Sequence, residues 1–222
     1  MQAFDELLQR SAARHSHLCP RQVLGVRIGL AGAAALGLTT PRRDKRLLAI
    51  LETDGCFADG IEVATGCTVG HRTLRVEDYG RIAATFVDVV TEQVLRIAPR
   101  LDVRQRALAY APHEPRHYFA QLRGYQVMSD EELLTVEPVQ LVQPIRQIVS
   151  RPGVRVNCTG CGEEIINERE IMLDGQPFCY TCARSGYYAS AILLPLPEMA
   201  YQEGQPEIGA ARFDSGLELD LY

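Results

Sequence analysis

The sequence predicts an α+β protein in which a core of helices and antiparallel strands precedes a small cysteine-rich ribbon. The predicted elements run as helices, one strand, a helix, then strands and further helices, without the regular β-α-β repeat of a parallel sheet. Hydrophobic residues make up 46% of the 222 residues, which is enough for a buried core. Four of the seven cysteines form two Cys-x-x-Cys pairs. We therefore expect a core domain over residues 1–150, a ribbon over 151–188 and an acidic tail over 189–222.

Two helices are predicted at the N-terminal end. Phe4 to Arg14 has apolar residues at helical spacing, and Pro20, which suits a first helical turn, begins a helix that extends through Leu36. Glycines on this second helix lower its intrinsic propensity, so we expect them at a close contact with another element. These glycines are Gly25, Gly29, Gly32 and Gly37.

Apolar runs and turn residues predict the remaining core elements. They are a buried strand at 47–51, a helix at 57–65, a hairpin at 81–89 and 93–97, helices within 101–134 and one or two strands within 136–149. Ser129 begins a Ser-x-x-Glu capping box, which marks the start of one of these helices.

Charge is distributed unevenly along the chain. Residues 1–150 hold 18 basic and 17 acidic side chains, whereas residues 151–222 hold 5 basic and 11 acidic ones. Binding to a phosphate backbone depends on clustered Lys and Arg. We therefore do not expect nucleic acid as a partner of the cysteine-rich region.

Membrane insertion is not expected either. The longest uninterrupted apolar stretch, residues 28–38, has 11 residues, whereas a helix needs about 20 to span a bilayer. The first residues include Asp5 and Glu6 and do not match a signal peptide. An odd number of cysteines, four of them in metal-type pairs, indicates free thiols in a reducing compartment. We therefore expect a cytoplasmic protein.

The two cysteine pairs predict a structural zinc site. They are Cys158 and Cys161 and, after 17 intervening residues, Cys179 and Cys182. Two such knuckles complete the tetrahedral four-thiolate shell of structural zinc. Asp174-Gly175 between them predicts a hairpin turn. Iron in the same sulfur site, or two separate redox dithiols, are the alternatives. A full thiolate shell leaves no position for substrate, so we expect this module to be a scaffold or an interaction surface. The module resembles zinc ribbons of the DksA/TraR type.

A second group of metal-ligand residue types lies near the N-terminus. His15, His17 and Cys19 alternate, and an extended segment would place them on one side. Imidazole and thiolate favour zinc, nickel, copper or iron over magnesium or calcium. The same residues also suit a helix end with hydrogen-bonded histidines and one buried thiol. The triplet alone does not choose between these interpretations.

Four segments resemble the FmdE family, which is named for a component of formylmethanofuran dehydrogenase. That family has His-Gly-His-x-Cys-Pro-Gly, Thr-Asp-x-Cys-x-x-Asp, Gly-Cys-Thr-x-Gly and Asp-Tyr-Gly-Lys motifs. This sequence has His-Ser-His-Leu-Cys-Pro-Arg at 15–21, Thr-Asp-Gly-Cys-Phe-Ala-Asp at 53–59, Gly-Cys-Thr-Val-Gly at 66–70 and Asp-Tyr-Gly-Arg at 78–81. Ser16 and Arg21 replace two motif glycines, which changes the backbone freedom around the candidate ligands.

The resemblance implies an α+β core, a homodimer and a second transition-metal site, with zinc as the first choice of metal. The implied ligands are His17, Cys19 and Cys56, with His15 as an additional candidate. The implied pocket residues are Asp54, Asp59, Thr65 and Cys67. A ligating histidine usually donates its second nitrogen to an acceptor such as a carboxylate, which suits Asp54 or Asp59.

Two kinds of function remain open at this point. The family name favours an accessory protein that docks to a molybdenum or tungsten oxidoreductase or delivers metal to it. The alternative is a stand-alone metalloenzyme, hydrolytic or redox, whose three protein ligands leave a fourth position for water or substrate. No motif in the sequence specifies a substrate or a reaction.

Overall fold

The chain forms two compact units, Met1–Val154 and Arg155–Tyr222. The computed structural model describes residues 4–15, 17–149, 153–184 and 186–188. The predicted acidic tail, residues 189–222, lies outside the described residues.

The first unit combines helices with one mixed sheet. Its helices are α1 (Phe4–Ala12), α2 (Pro20–Ala35), α3 (Cys56–Thr65), α4 (Val103–Ala109), α5 (His117–Val127), α6 (Asp130–Leu133) and α7 (Ile145–Val149). Its strands are β1 (Leu47–Leu51), β2 (Leu74–Val76), β3 (Ala84–Asp88), β4 (Val94–Pro99) and β5 (Leu134–Pro138). The sheet has the order β2-β1-β3-β4-β5. Only β1 and β2 pair in parallel, because α3 carries the chain back between them, and the predicted α+β class is confirmed.

Helices α2 and α3 contact each other backbone to backbone. A Cβ atom on Gly25 would lie 2.3 Å from the carbonyl oxygen of Phe57, and one on Gly60 would lie 2.4 Å from that of Gln22. Gly29, one turn further along α2, faces the C-terminal end of α3. The two helices therefore run in the same direction, and their N-termini lie at the same end. The predicted close packing of the α2 glycines is confirmed, except at Gly37, which ends the helix with a φ of +67°.

The single charged side chain within the central part of α2 joins it to α5. Arg27 donates hydrogen bonds to the carbonyl oxygens of Tyr125 and Met128 at 2.9 and 2.7 Å. These carbonyls lie at the C-terminal end of α5, where helical partners are missing. Arg27 also forms an ion pair with Asp130 at 2.7 Å. This arginine within an apolar helix therefore has both hydrogen-bond acceptors and a carboxylate partner.

The two faces of the sheet pack against different elements. Leu47, Ala49 and Leu51 of β1 belong to the core that includes α2 and α3. Leu48 alternates to the other face, where it packs with Ile148 of α7. The sequence predicts one or two strands within 136–149: β5 covers the start of this segment, and residues 145–149 form this helix instead of a second strand. The three-residue strand β2 was not predicted.

The second unit is built from two short hairpins and one helical turn. Its elements are β6 (Arg155–Asn157), β7 (Glu164–Ile166), β8 (Ile171–Leu173), β9 (Gln176–Phe178) and α8 (Tyr180–Ala183). Strand β6 pairs with β7, and β8 pairs with β9, in both cases antiparallel. Asp174 and Gly175 join β8 to β9 with φ values of +49° and +76°, which confirms the predicted two-residue turn.

None of the helices in the described ranges combines the length and the apolar character that a bilayer span requires.

Candidate metal centres

The four cysteines of the second unit form one cluster. The sulfur atoms of Cys158, Cys161, Cys179 and Cys182 all lie within 4.8 Å of one another. The Cys161 and Cys179 sulfurs are 3.9 Å apart. A tetrahedral shell with metal–sulfur bonds of about 2.3 Å places its sulfurs about 3.8 Å apart. The cluster therefore has the dimensions of a site that holds a metal ion.

Backbone N–H groups stabilise negative charge on this cluster. The N–H of Cys179 donates to Cys158 Sγ at 3.2 Å, and the N–H of Cys182 donates to Cys179 Sγ at 3.4 Å. The bond from Cys179 lowers the pKa of Cys158 to about 6. In contrast, hydrogen bonds with the Cys179 and Cys158 side chains raise the pKa of Cys182 to about 12. Four adjacent thiolates therefore need a cation, and a thiophilic metal supplies that charge to such a donor set.

In the first unit, two thiols lie side by side at the N-termini of α2 and α3. Cys19 is the N-cap of α2: its Sγ accepts a bond from the N–H of Gln22 at 3.4 Å, while Gln22 Oε1 accepts from the N–H of Cys19 at 2.8 Å. Cys56 is the first residue of α3. Burial raises the pKa of Cys56, and the hydrogen bond and charge of neighbouring Cys19 raise it further.

A histidine–carboxylate pair adjoins these thiols. His15 Nε2 lies 2.5 Å from Asp59 Oδ2. Asp59 also contributes to the raised pKa of Cys56, which places its charge close to the thiol. Arg14 donates to Asp59 at 3.3 Å and to Glu62 at 2.5 Å. The acidic face of α3 thus binds the segment before α2 and holds His15 near Cys56.

Sequence reasoning missed Tyr118 of α5 as part of this cluster. Burial raises the pKa of Tyr118, and the charges of Cys19 and Cys56 raise it further, which places the phenol close to both thiols. Tyr118 lies about 100 residues from Cys19 in sequence and in no recognised motif. No signal in the sequence points to it, because only the packing of α5 on α2 brings it there.

The structure separates the other predicted pocket residues from this cluster. Cys67 is buried in the core and donates from Sγ to the carbonyl oxygen of Leu47 at 3.4 Å. It follows the C-terminal end of α3, about 15 Å along that helix from Cys56. Thr65 accepts a bond from the N–H of Cys67 at 3.1 Å and donates to Ile61. Both side chains therefore have structural partners at the far end of α3.

Two predicted residues lie on the surface. His17 and Asp54 are both exposed, His17 just before the N-terminus of α2 and Asp54 just before that of α3. Within the described ranges, the ribbon cysteines are the one group of three or more His, Cys, Asp or Glu residues whose ligand atoms all lie within 4.8 Å. The neighbouring residues of the core are His15, Cys19, Cys56 and Asp59. Their ligand atoms form a more widely spaced group than the four sulfurs of the ribbon.

Residues 14–147 match the family described as "FmdE, Molybdenum formylmethanofuran dehydrogenase operon". This match covers more than half of the 222 residues. The chain belongs to the FmdE family. It therefore combines an FmdE core with a four-cysteine cluster that can hold a metal.

Two individual proteins resemble this FmdE chain. A curated protein of Archaeoglobus fulgidus, named "Probable S-adenosyl-L-methionine-binding protein", is 29% identical over 204 residues, with 82% of this chain and 54% of that protein covered. The chain thus spans about half the length of this curated relative. A tungsten formylmethanofuran dehydrogenase FmdE-like protein from Syntrophus aciditrophicus, solved by crystallography, has a TM-score of 0.51 and 20% identity, with 85% of this chain and 96% of that chain covered. At this identity the second likeness shows the fold alone.

The Asp-Tyr-Gly-Arg motif of the FmdE core lies beside a different feature, a cleft on the α7 face of the sheet. Its volume is about 350 Å³, and its lining includes Glu52, Glu77 and Tyr79. Glu52 receives two bonds from Arg96, at 2.5 and 2.9 Å, and one from Arg81 at 2.8 Å. The hydrogen bonds from Arg96 lower the pKa of Glu52 below its ordinary 4.5, so this carboxylate is ionised and held at neutral pH.

Proposed function

We propose that this protein is a metal-binding FmdE protein with two metal sites, and that it acts as an accessory to a molybdenum or tungsten oxidoreductase. The ribbon cysteines would bind zinc structurally. Cys19 and Cys56 would bind a second transition metal, zinc in the first instance, together with His15 or His17. The observation that carries the proposal is the pair of adjacent thiols at the N-termini of α2 and α3, with a histidine–carboxylate pair next to them.

The chemistry of the core cluster fits such a metal. Two thiolates and an imidazole are a donor set for zinc, nickel, copper or iron. The bond between His15 Nε2 and Asp59 leaves Nδ1 of His15 as the nitrogen available for a metal. A carboxylate in this position orients a ligating imidazole and increases its basicity. His17 is the alternative ligand, because it lies two residues from Cys19 and is exposed.

The accessory role rests on the ribbon surface and on the family. A closed four-thiolate site offers no position for substrate, so the ribbon would act through its surface. That surface exposes apolar side chains that a binding partner would cover. They are Ile166, Met172, Leu173 and Tyr180. The FmdE description and the name of the S. aciditrophicus protein both refer to formylmethanofuran dehydrogenase, which is the type of oxidoreductase we propose as partner of a cytoplasmic homodimer.

The alternative is a stand-alone metalloenzyme, hydrolytic or redox. Two features favour it over a closed structural site: Cys56 is partly exposed, and Tyr118 lies close to both thiols. With three protein ligands, a fourth position would remain open for water or substrate. Tyr118 and Asp59 would then be the groups that orient a substrate or exchange a proton with it.

The name of the A. fulgidus relative suggests one ligand to test, S-adenosylmethionine. The cleft beside Glu52 would be its place here, because it has about 350 Å³ of space, an exposed Tyr79 ring for a base to stack on and an exposed Glu77 carboxylate for hydroxyl groups. Equilibrium dialysis with labelled S-adenosylmethionine tests this ligand, and binding that persists in Tyr79→Ala and Glu77→Gln would place it elsewhere.

Elemental analysis of the purified full chain tests the two-site proposal. We expect two metal ions per chain in the natural protein and one in Cys19→Ser or Cys158→Ser. Cys67→Ser is the matched control, because it also removes one buried thiol but leaves both proposed sites intact, and it should retain two ions. Two ions per chain in Cys19→Ser would refute the core site. Anomalous scattering from crystals would identify each metal and its ligands.

A further inference from the structure

The core thiols support an activity that needs no metal. Helices α2 and α3 run in the same direction and contact each other through Gly25 and Gly60, so their first residues meet at one end. Cys19 and Cys56 occupy these two positions, as the N-cap of α2 and the first residue of α3. Two thiols held in this way are positioned to be joined by a disulfide bond.

We propose that Cys19 and Cys56 form a redox-active dithiol that reduces small-molecule disulfides. The proposal concerns the same side chains as the proposed metal site but does not depend on that site. The two cysteines differ in access: Cys19 is 7% exposed, whereas Cys56 is partly exposed. Because thiol–disulfide exchange requires an accessible attacking sulfur, Cys56 attacks first and Cys19 resolves.

The exchange proceeds in two steps. The Cys56 thiolate attacks one sulfur of a disulfide RSSR, the S–S bond of RSSR breaks, and the released thiolate takes up the proton that Cys56 lost. The Cys19 sulfur then attacks Cys56 Sγ in the mixed disulfide, and a second RSH leaves with the proton of Cys19. In total, two thiols and RSSR become one protein disulfide and two RSH, with two electrons passing to RSSR.

The local environment favours this pair over the other thiol of the core. Both residues lie at helix N-termini, and Cys56 is partly exposed, so a small disulfide can reach its sulfur. Cys67 is 1% exposed and bonded to the carbonyl oxygen of Leu47, at the other end of α3. It therefore serves as an internal reference that should stay reduced.

Treatment of the reduced full chain, supplied with one zinc ion per chain to protect the ribbon cysteines, with oxidised glutathione tests the proposal. We expect the loss of two free thiols per chain and a disulfide between Cys19 and Cys56 after digestion under non-reducing conditions. The tryptic fragment 47–72 contains both Cys56 and Cys67. The experiment is therefore repeated in Cys67→Ser, where the linked fragment must persist. Separate glutathione adducts, a Cys56–Cys67 link or unreacted thiols would overturn the proposal.

Single-cysteine variants test the order of attack. Cys19→Ser keeps an oxygen that can cap α2, and in this variant we expect a glutathione adduct that stays on Cys56. In Cys56→Ser, we expect Cys19 to remain a free thiol. An adduct on Cys19 instead would refute the assigned order. Metal content is measured in parallel on the reduced protein: disulfide formation without a core metal contradicts only the proposed function, whereas a core metal without disulfide formation contradicts only this inference.

Discussion

Gly25 of α2 and Gly60 of α3 approach so closely that a Cβ atom on Gly25 would lie 2.9 Å from the Cα atom of Gly60. This contact aligns the two helices and thereby brings the thiols of Cys19 and Cys56 together. The core site thus depends on two residues without side chains, neither of which has any ligand chemistry of its own.

Replacement of Gly25 or Gly60 by alanine should destabilise the core. The new methyl group must displace backbone atoms, and overpacking of this kind costs about 1–3 kcal/mol. Chemical denaturation of the full chain measures the free energy of unfolding. Gly70→Ala is the control, because nothing lies within 4 Å of its Cβ position and it should change stability little. An unchanged stability in Gly60→Ala would mean that the helices are not in backbone contact.

The His15–Asp59 pair should affect the affinity of the core site for metal. We expect Asp59→Asn to weaken metal binding about 10- to 100-fold, the usual effect of removing the partner that orients a ligating histidine. Competition with a chromophoric chelator measures the affinity. His71→Ala, which changes an exposed histidine away from the cluster, should have no effect. If His15→Ala also has no effect while His17→Ala abolishes binding, His17 is the ligand.

The ribbon should lose its structure when its metal is removed, while the core remains folded. Structural zinc supplies about 10–16 kcal/mol in small zinc-binding peptides, which is far more than hairpins of three-residue strands can provide. Limited proteolysis with and without chelator should therefore show new cleavage at Arg169, between the cysteine pairs. Cys158→Ser should show the same cleavage without chelator. If cleavage also appeared throughout residues 4–149, the ribbon would not lose its structure independently of the core.

Glu52 should make the core sensitive to acid. Hydrogen bonds from Arg96 lower its pKa below the unfolded value of 4.5, so its stabilisation is complete above about pH 4.5 and is lost as the pH falls through the lower, folded-state pKa. The free energy of unfolding should therefore decrease between pH 6 and pH 3 in the natural protein and decrease less in Glu52→Gln. At pH 7, Glu52→Gln should cost about 1.5–3 kcal/mol, the usual contribution of hydrogen bonds to a charged group, because both arginines lose a charged partner. Glu92→Gln, an exposed change, should retain the natural pH dependence.

Local patterns are sufficient to predict much of this molecule. Pro20 after Cys19 predicts the start of α2, and Asp174-Gly175 predicts the hairpin turn between β8 and β9. The spacing of the ribbon cysteines predicts a cluster that the structure contains. Each of these signals works within a few residues, where backbone geometry and side-chain type determine the conformation. Residues 145–149, which form a helix where the sequence also allowed a second strand, show the limit of such signals, because apolar residues in a short run suit a strand as well as a helix.

The sequence did not predict which residues that are distant along the chain lie close together in the fold. The motif residues Cys56 and Cys67 look equivalent in sequence, yet ten residues of helix place one beside Cys19 and the other in the core at the opposite end. Tyr118 joins the thiols only because α5 packs against α2. The sequence by itself determined the elements and the types of ligand, because those depend on neighbouring residues. The tertiary structure alone decided which ligands meet, because that depends on how helices dock, and here glycines set the docking.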